Sequence, residues 1–167
     1  SASEEVVDCD NFTLAKEFAN KEFAETLKEI EDKVRYSRLK ENYDSAMAQY
    51  NRGDLGSLSL ATDNFRALED FEDSSKMVKE CIYKTGLVYL GMVTDISNLS
   101  YCENATKCFE DVINFKNSRE MITKVAETRN SIIESYKNSC LSKIIINYPK
   151  DVTNGSLKAL ADKVLLN

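Results

Sequence analysis

One motif in this chain returns after 44 residues. Ala61-x3-Phe65-x2-Leu68-x2-Phe71-x-Asp73-Ser74-x2-Met77 reappears as Ala105-x3-Phe109-x2-Val112-x2-Phe115-x-Asn117-Ser118-x2-Met121. Recurrence at a spacing of about 20 to 50 residues marks stacked supersecondary units, because each unit has an apolar face that only its neighbour covers. The apolar residues within each copy advance largely by three and four, the helical period. The echo therefore constrains the chain to an all-α architecture built from related helical pieces.

Composition agrees. A single Pro and 5 Gly leave few chain breakers in 167 residues, as expected of a helix-dominated domain. That length, with 43% hydrophobic residues, suits one packed unit. The formal charge is −6, with Lys and Arg spread along the chain. Such a surface repels phosphate backbones and anionic headgroups, which disfavours nucleic acid and membrane-surface partners. The longest apolar run, Gly86-Leu-Val-Tyr-Leu-Gly-Met-Val93, falls well short of the roughly 20 residues that span a bilayer, so no membrane insertion is expected. Ser1 to Glu5 carries no signal-peptide pattern and reads as a trimmed or engineered end, which leaves a removed targeting segment open. Cytoplasmic siting is favoured, with the compartment unassigned.

Read in order, residues 1–11 form a loose acidic segment, and 12–167 form one helical domain. From Phe12 the positions Ala15, Phe18, Phe23, Leu27, Ile30 and Val34 follow helical steps and predict a helix burying one stripe, capped by Asp10 or Asn11. That helix either breaks near Arg35 to Lys40 or runs on to Arg52. Asn51-Arg52-Gly53-Asp54-Leu55-Gly56 is a turn. A second helix starts at Ser57 or Ser59 and carries Leu60, Ala61, Phe65 and Leu68, and Asp73 is a candidate cap for the next. Ser100 with Glu103, and Asn117 with Glu120, have capping-box spacing. A long helix follows from about Ser118 to Ile146. Pro149 ends it, and Asn154-Gly155-Ser156 leads into a last helix to Leu166.

Tyr43, Ala46, Met47 and Tyr50 on one helix, a Gly-bearing turn, then Ala61, Phe65 and Leu68 on the next, form a pattern that resembles the tetratricopeptide repeat. Tyr83, Gly86, Leu87 and Leu90, followed by Ala105, Phe109 and Val112, repeat it. The connecting Phe71-Glu-Asp-Ser and Phe115-Lys-Asn-Ser steps resemble a divergent bacterial form of these repeats. The period here is longer than the family's approximately 34 residues. The resemblance implies antiparallel helix hairpins stacked as a short right-handed solenoid of six to eight helices, with related units at about 43–82 and 83–125 and capping helices at both ends. It also implies a non-catalytic protein-interaction or scaffolding role, with a polypeptide bound on the concave face. On that alignment Asp44, Asn51, Arg52, Lys84, Val88 and Met92 would face the partner. A homodimer through an uncapped end is left open.

The vocabulary of catalysis is thin. With no His, the commonest general base and transition-metal ligand are missing. The five cysteines, Cys9, Cys81, Cys102, Cys108 and Cys140, form no CxxC pair and read as buried thiols. A disulfide such as Cys102 to Cys108 stays open. Carboxylate pairs such as Glu69-Asp70 and Glu110-Asp111 read as solvated helix faces. Asn11, Asn98, Asn104 and Asn154 begin Asn-x-Ser/Thr triplets of the kind that an Asn- and Ser-rich chain makes by chance. Tyr36, Tyr101 and Tyr148 fall outside the clean stripes and suit an interface. Gly86 reads as the small residue that lets two helices approach. Leu87 and Leu90 read as its buried neighbours, and Val88, Tyr89 and Met92 lie on the other face as core or as an apolar groove. No catalytic, cofactor or metal site is expected. The alternative to an interaction domain is a closed helical bundle, structural or inhibitory, secreted and disulfide-bonded.

Overall fold

The computed structural model describes residues 2–147, with side chains from 13 to 144, together with Gly155, Lys158, Ala159, Asp162 and Lys163. Every regular element among these is helical: α1 Ala2–Arg52, α2 Leu55–Ala67, α3 Ser74–Gly91, a 3-10 turn Ile96–Asn98, α4 Ser100–Asp111 and α5 Ser118–Asn147. The described residues thus hold five α-helices and one 3-10 turn, against the six to eight helices expected. Pro149 and most of the expected helix from Asn154 lie outside them. Among the described residues no helix is long and apolar enough to cross a membrane. The chain divides into two units, Ser1–Ser45 and Ala46–Asn167.

In the first unit the helix begins at Ala2, upstream of Phe12, and continues without a break through Arg35 to Lys40. The expected burial of its apolar stripe is corrected. Phe18, Phe23, Leu27, Ile30 and Val34 are between 43% and 66% exposed, because the described side chains of this unit lie on one helix and a single helix cannot cover its own face.

In the second unit each helix packs on its successor, α2 on α3, α3 on α4 and α4 on α5. The 44-residue echo is also an echo in burial. Leu58, Ala61, Phe65, Leu68, Ser74, Met77 and Cys81 are buried, and so are their counterparts Cys102, Ala105, Phe109, Val112, Ser118, Met121 and Val125.

The linking turns repeat as well. Phe71 N–H donates to Leu68 O at 3.0 Å and Phe115 N–H to Val112 O at 2.8 Å. Ser74 Oγ donates to Phe71 O at 2.6 Å and Ser118 Oγ to Phe115 O at 2.7 Å. The residues between, Glu72 and Lys116, both take a left-handed backbone, with φ of 52° and 49°. Left-handed geometry disfavours a Cβ, so two unlike side chains held there signify a shared turn. Both serines are buried, and each hydroxyl adds a second hydrogen bond to a carbonyl that already accepts that serine's N–H, at 3.1 Å for Ser74 and 3.2 Å for Ser118.

Capping differs from the sequence expectation. Asp73 holds the N-cap position of α3, but its side chain makes no cap bond. Leu99, with no cap side chain, precedes α4. The capping box lies instead at Asp95 and Asn98, on the 3-10 turn. Asn117 turns its amide oxygen away from α5 and accepts the Tyr83 hydroxyl at 2.6 Å. The α2 start is Asp54, whose carboxylate accepts Ser57 N–H at 2.9 Å and Ser57 Oγ–H at 2.6 Å. Gly53 supplies the left-handed step before it, with φ of 75°.

The core centres on Tyr83, Phe109, Val112 and Val125. The Tyr83 ring meets Phe109 edge-on with centroids 5.5 Å apart and Phe115 at 6.2 Å. Gly86 is the close approach expected of it: a Cβ built there lies 2.9 Å from Phe109 Cε1 and Cζ. Leu87 is corrected. It is 39% exposed, and Leu90, like Val88, Tyr89 and Met92, is half-buried. With Gly86 against α4, the next residue is carried about 100° around the helix and out of the contact.

Candidate functional site

The six residues expected to face a partner fall in both units, one in the first and five in the second. Asp44 belongs to the first unit, where it is exposed and pairs with Lys40 at 2.8 Å. Asn51 and Arg52 are exposed on the last turn of α1, with Arg52 Nε 3.9 Å from Asp54 Oδ2. Lys84 and Val88 on α3 and Met92 just past its end follow four-residue steps, all half-buried.

Lys84 is already engaged. Its ammonium donates to Tyr50 O at 3.0 Å and sits 4.2 Å from the Tyr50 ring centroid. It thereby satisfies a carbonyl at the end of α1 and places a cation on an aromatic face. Burial raises the Tyr50 phenol pKa above its ordinary 10.0, so no negative charge forms there near neutrality. Lys84 joins α1 to α3 and leaves its charge little freedom to meet a ligand.

Of the three tyrosines expected at an interface, Tyr36 is exposed and Tyr101 stacks on Tyr89 with centroids 5.9 Å apart. Tyr148 lies outside the described residues.

A groove of about 940 Å³ runs between α4 and α5. Leu99, Cys102, Ile122 and Val125 give it an apolar floor, and Glu103, Lys107, Glu110, Asp111 and Arg129 give it a charged rim. From Leu99 just before α4, residues 99, 103, 106 and 110 advance by four, three and four. Residues 122, 126 and 129 do the same along α5, so the groove is two parallel rows of side chains on facing helix surfaces. Short side chains line its middle, Thr106 on one wall and Ala126 on the other, which leaves room for an inserted side chain. The rim carries three carboxylates against two cations.

Burial raises the Cys102 thiol pKa above its ordinary 9.0, so the thiolate needed for nucleophilic attack is scarce near neutrality. Ser100 and Thr106 have no imidazole to activate them in a chain without His. Among the described residues no three His, Cys, Asp or Glu side chains gather to hold a metal ion. Cys81, Cys102, Cys108 and Cys140 are free thiols. The groove escaped sequence reasoning because Glu103, Lys107 and Glu110 look like an ordinary solvated helix face. The shared stepping on α4 and α5 was the available signal.

No protein-family model, curated protein or solved structure matches this chain.

Proposed function

We propose that this chain is a non-catalytic protein-interaction domain whose α4–α5 groove seats a polypeptide segment. The observation that carries this reading is the groove's construction, an apolar floor of Leu99, Ile122 and Val125 inside a charged rim. An amphipathic helix laid in such a groove buries its apolar stripe and keeps its polar face wet. The acidic excess at the rim favours a segment with Lys or Arg beside its apolar anchors. Within this reading 43–82 and 83–125 are two units of a tetratricopeptide-like right-handed stack. The paired burial and paired turns of the echo support that arrangement.

The test is a titration of 15N-labelled full chain with basic amphipathic helical peptides, followed by amide shifts. Binding should move resonances of residues 99–111 and 118–129. Ala126→Arg, which fills the groove from an exposed position, should weaken binding at least about tenfold, a difference of roughly 1.4 kcal/mol. Shifts confined elsewhere, or binding unchanged in Ala126→Arg, would remove the groove from the account.

A further inference from the structure

The exposed stripe of α1 lies entirely in the first unit and is independent of the groove. Phe23, Leu27, Ile30 and Val34 are spaced by four, three and four residues, which is the a/d seam of a left-handed coiled coil. All four are exposed, as is every described side chain from 13 to 38. Leu14, Phe18 and Tyr36, also exposed, stand off this seam. A helix with no covered face is marginal in water, and packing of an apolar stripe supplies most helical stability. The same heptad frame extended outwards places Lys16 and Asn20 before the apolar four, and Ser37 and Glu41 after them.

We propose that a second copy of this chain covers the stripe, with the two α1 helices antiparallel. In that arrangement Phe23 faces Val34 of the other copy and Leu27 faces its Ile30, so large and small side chains alternate. The flanking layers match in kind: Asn20 meets Ser37, and Lys16 meets Glu41 at both ends. Beside the seam, Glu17 meets Arg38. The parallel alternative stacks Lys16 on Lys16 and Glu41 on Glu41, and brings Lys33 against Arg38. Charge therefore selects both the occupant and its direction. With only four apolar positions per helix the association is weak, with a dissociation constant of roughly 10 to 100 µM.

The experiment is sedimentation equilibrium of the full chain with three variants, each checked by circular dichroism for unchanged helix content. Wild type should reach a dimer as concentration rises through that range. Ile30→Glu, at an exposed site, should be monomeric. Lys16→Glu should weaken the dimer about tenfold by setting like charges together at both ends, and Lys16→Glu with Glu41→Lys should restore it. A parallel dimer would give no rescue, since each of its layers keeps like charges in every variant. A monomer up to about 1 mM, a dimer insensitive to Ile30→Glu, absence of rescue, or a stripe occupied by a different protein's helix would each overturn the proposal.

Discussion

The Phe109 ring occupies the space that a side chain at residue 86 would need, its Cε1 and Cζ lying 2.9 Å from a Cβ built on Gly86. Phe109 is fully buried and Tyr83 meets it edge-on, so the ring has nowhere to withdraw. Alanine gains about 1 kcal/mol over glycine in a helix interior, whereas overpacking a filled core costs about 1–3 kcal/mol. Gly86→Ala should therefore destabilise the chain by up to about 2 kcal/mol in urea unfolding. Gly91→Ala, where nothing lies within 4 Å of the added atom, should be neutral or stabilising.

Glu72 and Lys116 hold the same left-handed position in the two turns, and the Lys116 side chain makes two contacts from there: its Nζ lies 2.6 Å from Glu80 Oε2 and 5.1 Å from the Tyr83 ring centroid. Glu72→Gly should stabilise by about 0.5–1 kcal/mol by relieving the backbone. Lys116→Gly relieves the same strain and loses both contacts, so it should show no gain. Thermal unfolding of the two variants separates these outcomes.

Tyr83 and Asn117, on α3 and just before α5, are joined by one short hydrogen bond. Tyr83→Phe should cost about 1 kcal/mol. Asn117→Ala should cost a similar amount, and the double variant should be little worse than either alone. Additive losses in that cycle would show that the bond contributes nothing.

The Asp54 carboxyl is held below its ordinary 3.8, first by the Ser57 hydroxyl and then by the Ser57 N–H. Asp95 is lowered likewise by Ser97. A carboxylate depressed in the folded state adds stability that is complete above its unfolded pKa and is lost as pH falls through the folded value. The melting temperature should thus be level near neutrality and fall below about pH 4. Asp54→Asn, which keeps an acceptor for Ser57 N–H without the titration, should make that acid limb shallower.

Much of the second unit was legible beforehand because helical stepping and a repeat together over-determine it. Phe65 and Phe109, Ser74 and Ser118, and Met77 and Met121 were paired by spacing alone, and Gly86 was picked out as a helix contact. The first unit shows where periodicity stops: Phe23, Leu27, Ile30 and Val34 reveal that a face is apolar and say nothing of what covers it. The capping box expected at Ser100 is not formed, and Asp73 holds the N-cap position without a side-chain bond, for a related reason. Several side chains near a helix start have the right chemistry, and tertiary partners such as Tyr83 decide which are engaged. The α4–α5 groove was hidden because it is a property of two helices at a distance, whereas Glu103 or Ala126 read singly is ordinary surface.

The central claim is that residues 57–81 and 101–125 are two copies of one structural unit. A crystal structure of the chain tests it most directly, by superposing those two segments. The account predicts that they match in helix boundaries and in the turn before the second helix, with Glu72 and Lys116 both left-handed and the Ser74 and Ser118 hydroxyls on the Phe71 and Phe115 carbonyls. Segments that differ in helix boundaries or in that turn would contradict it.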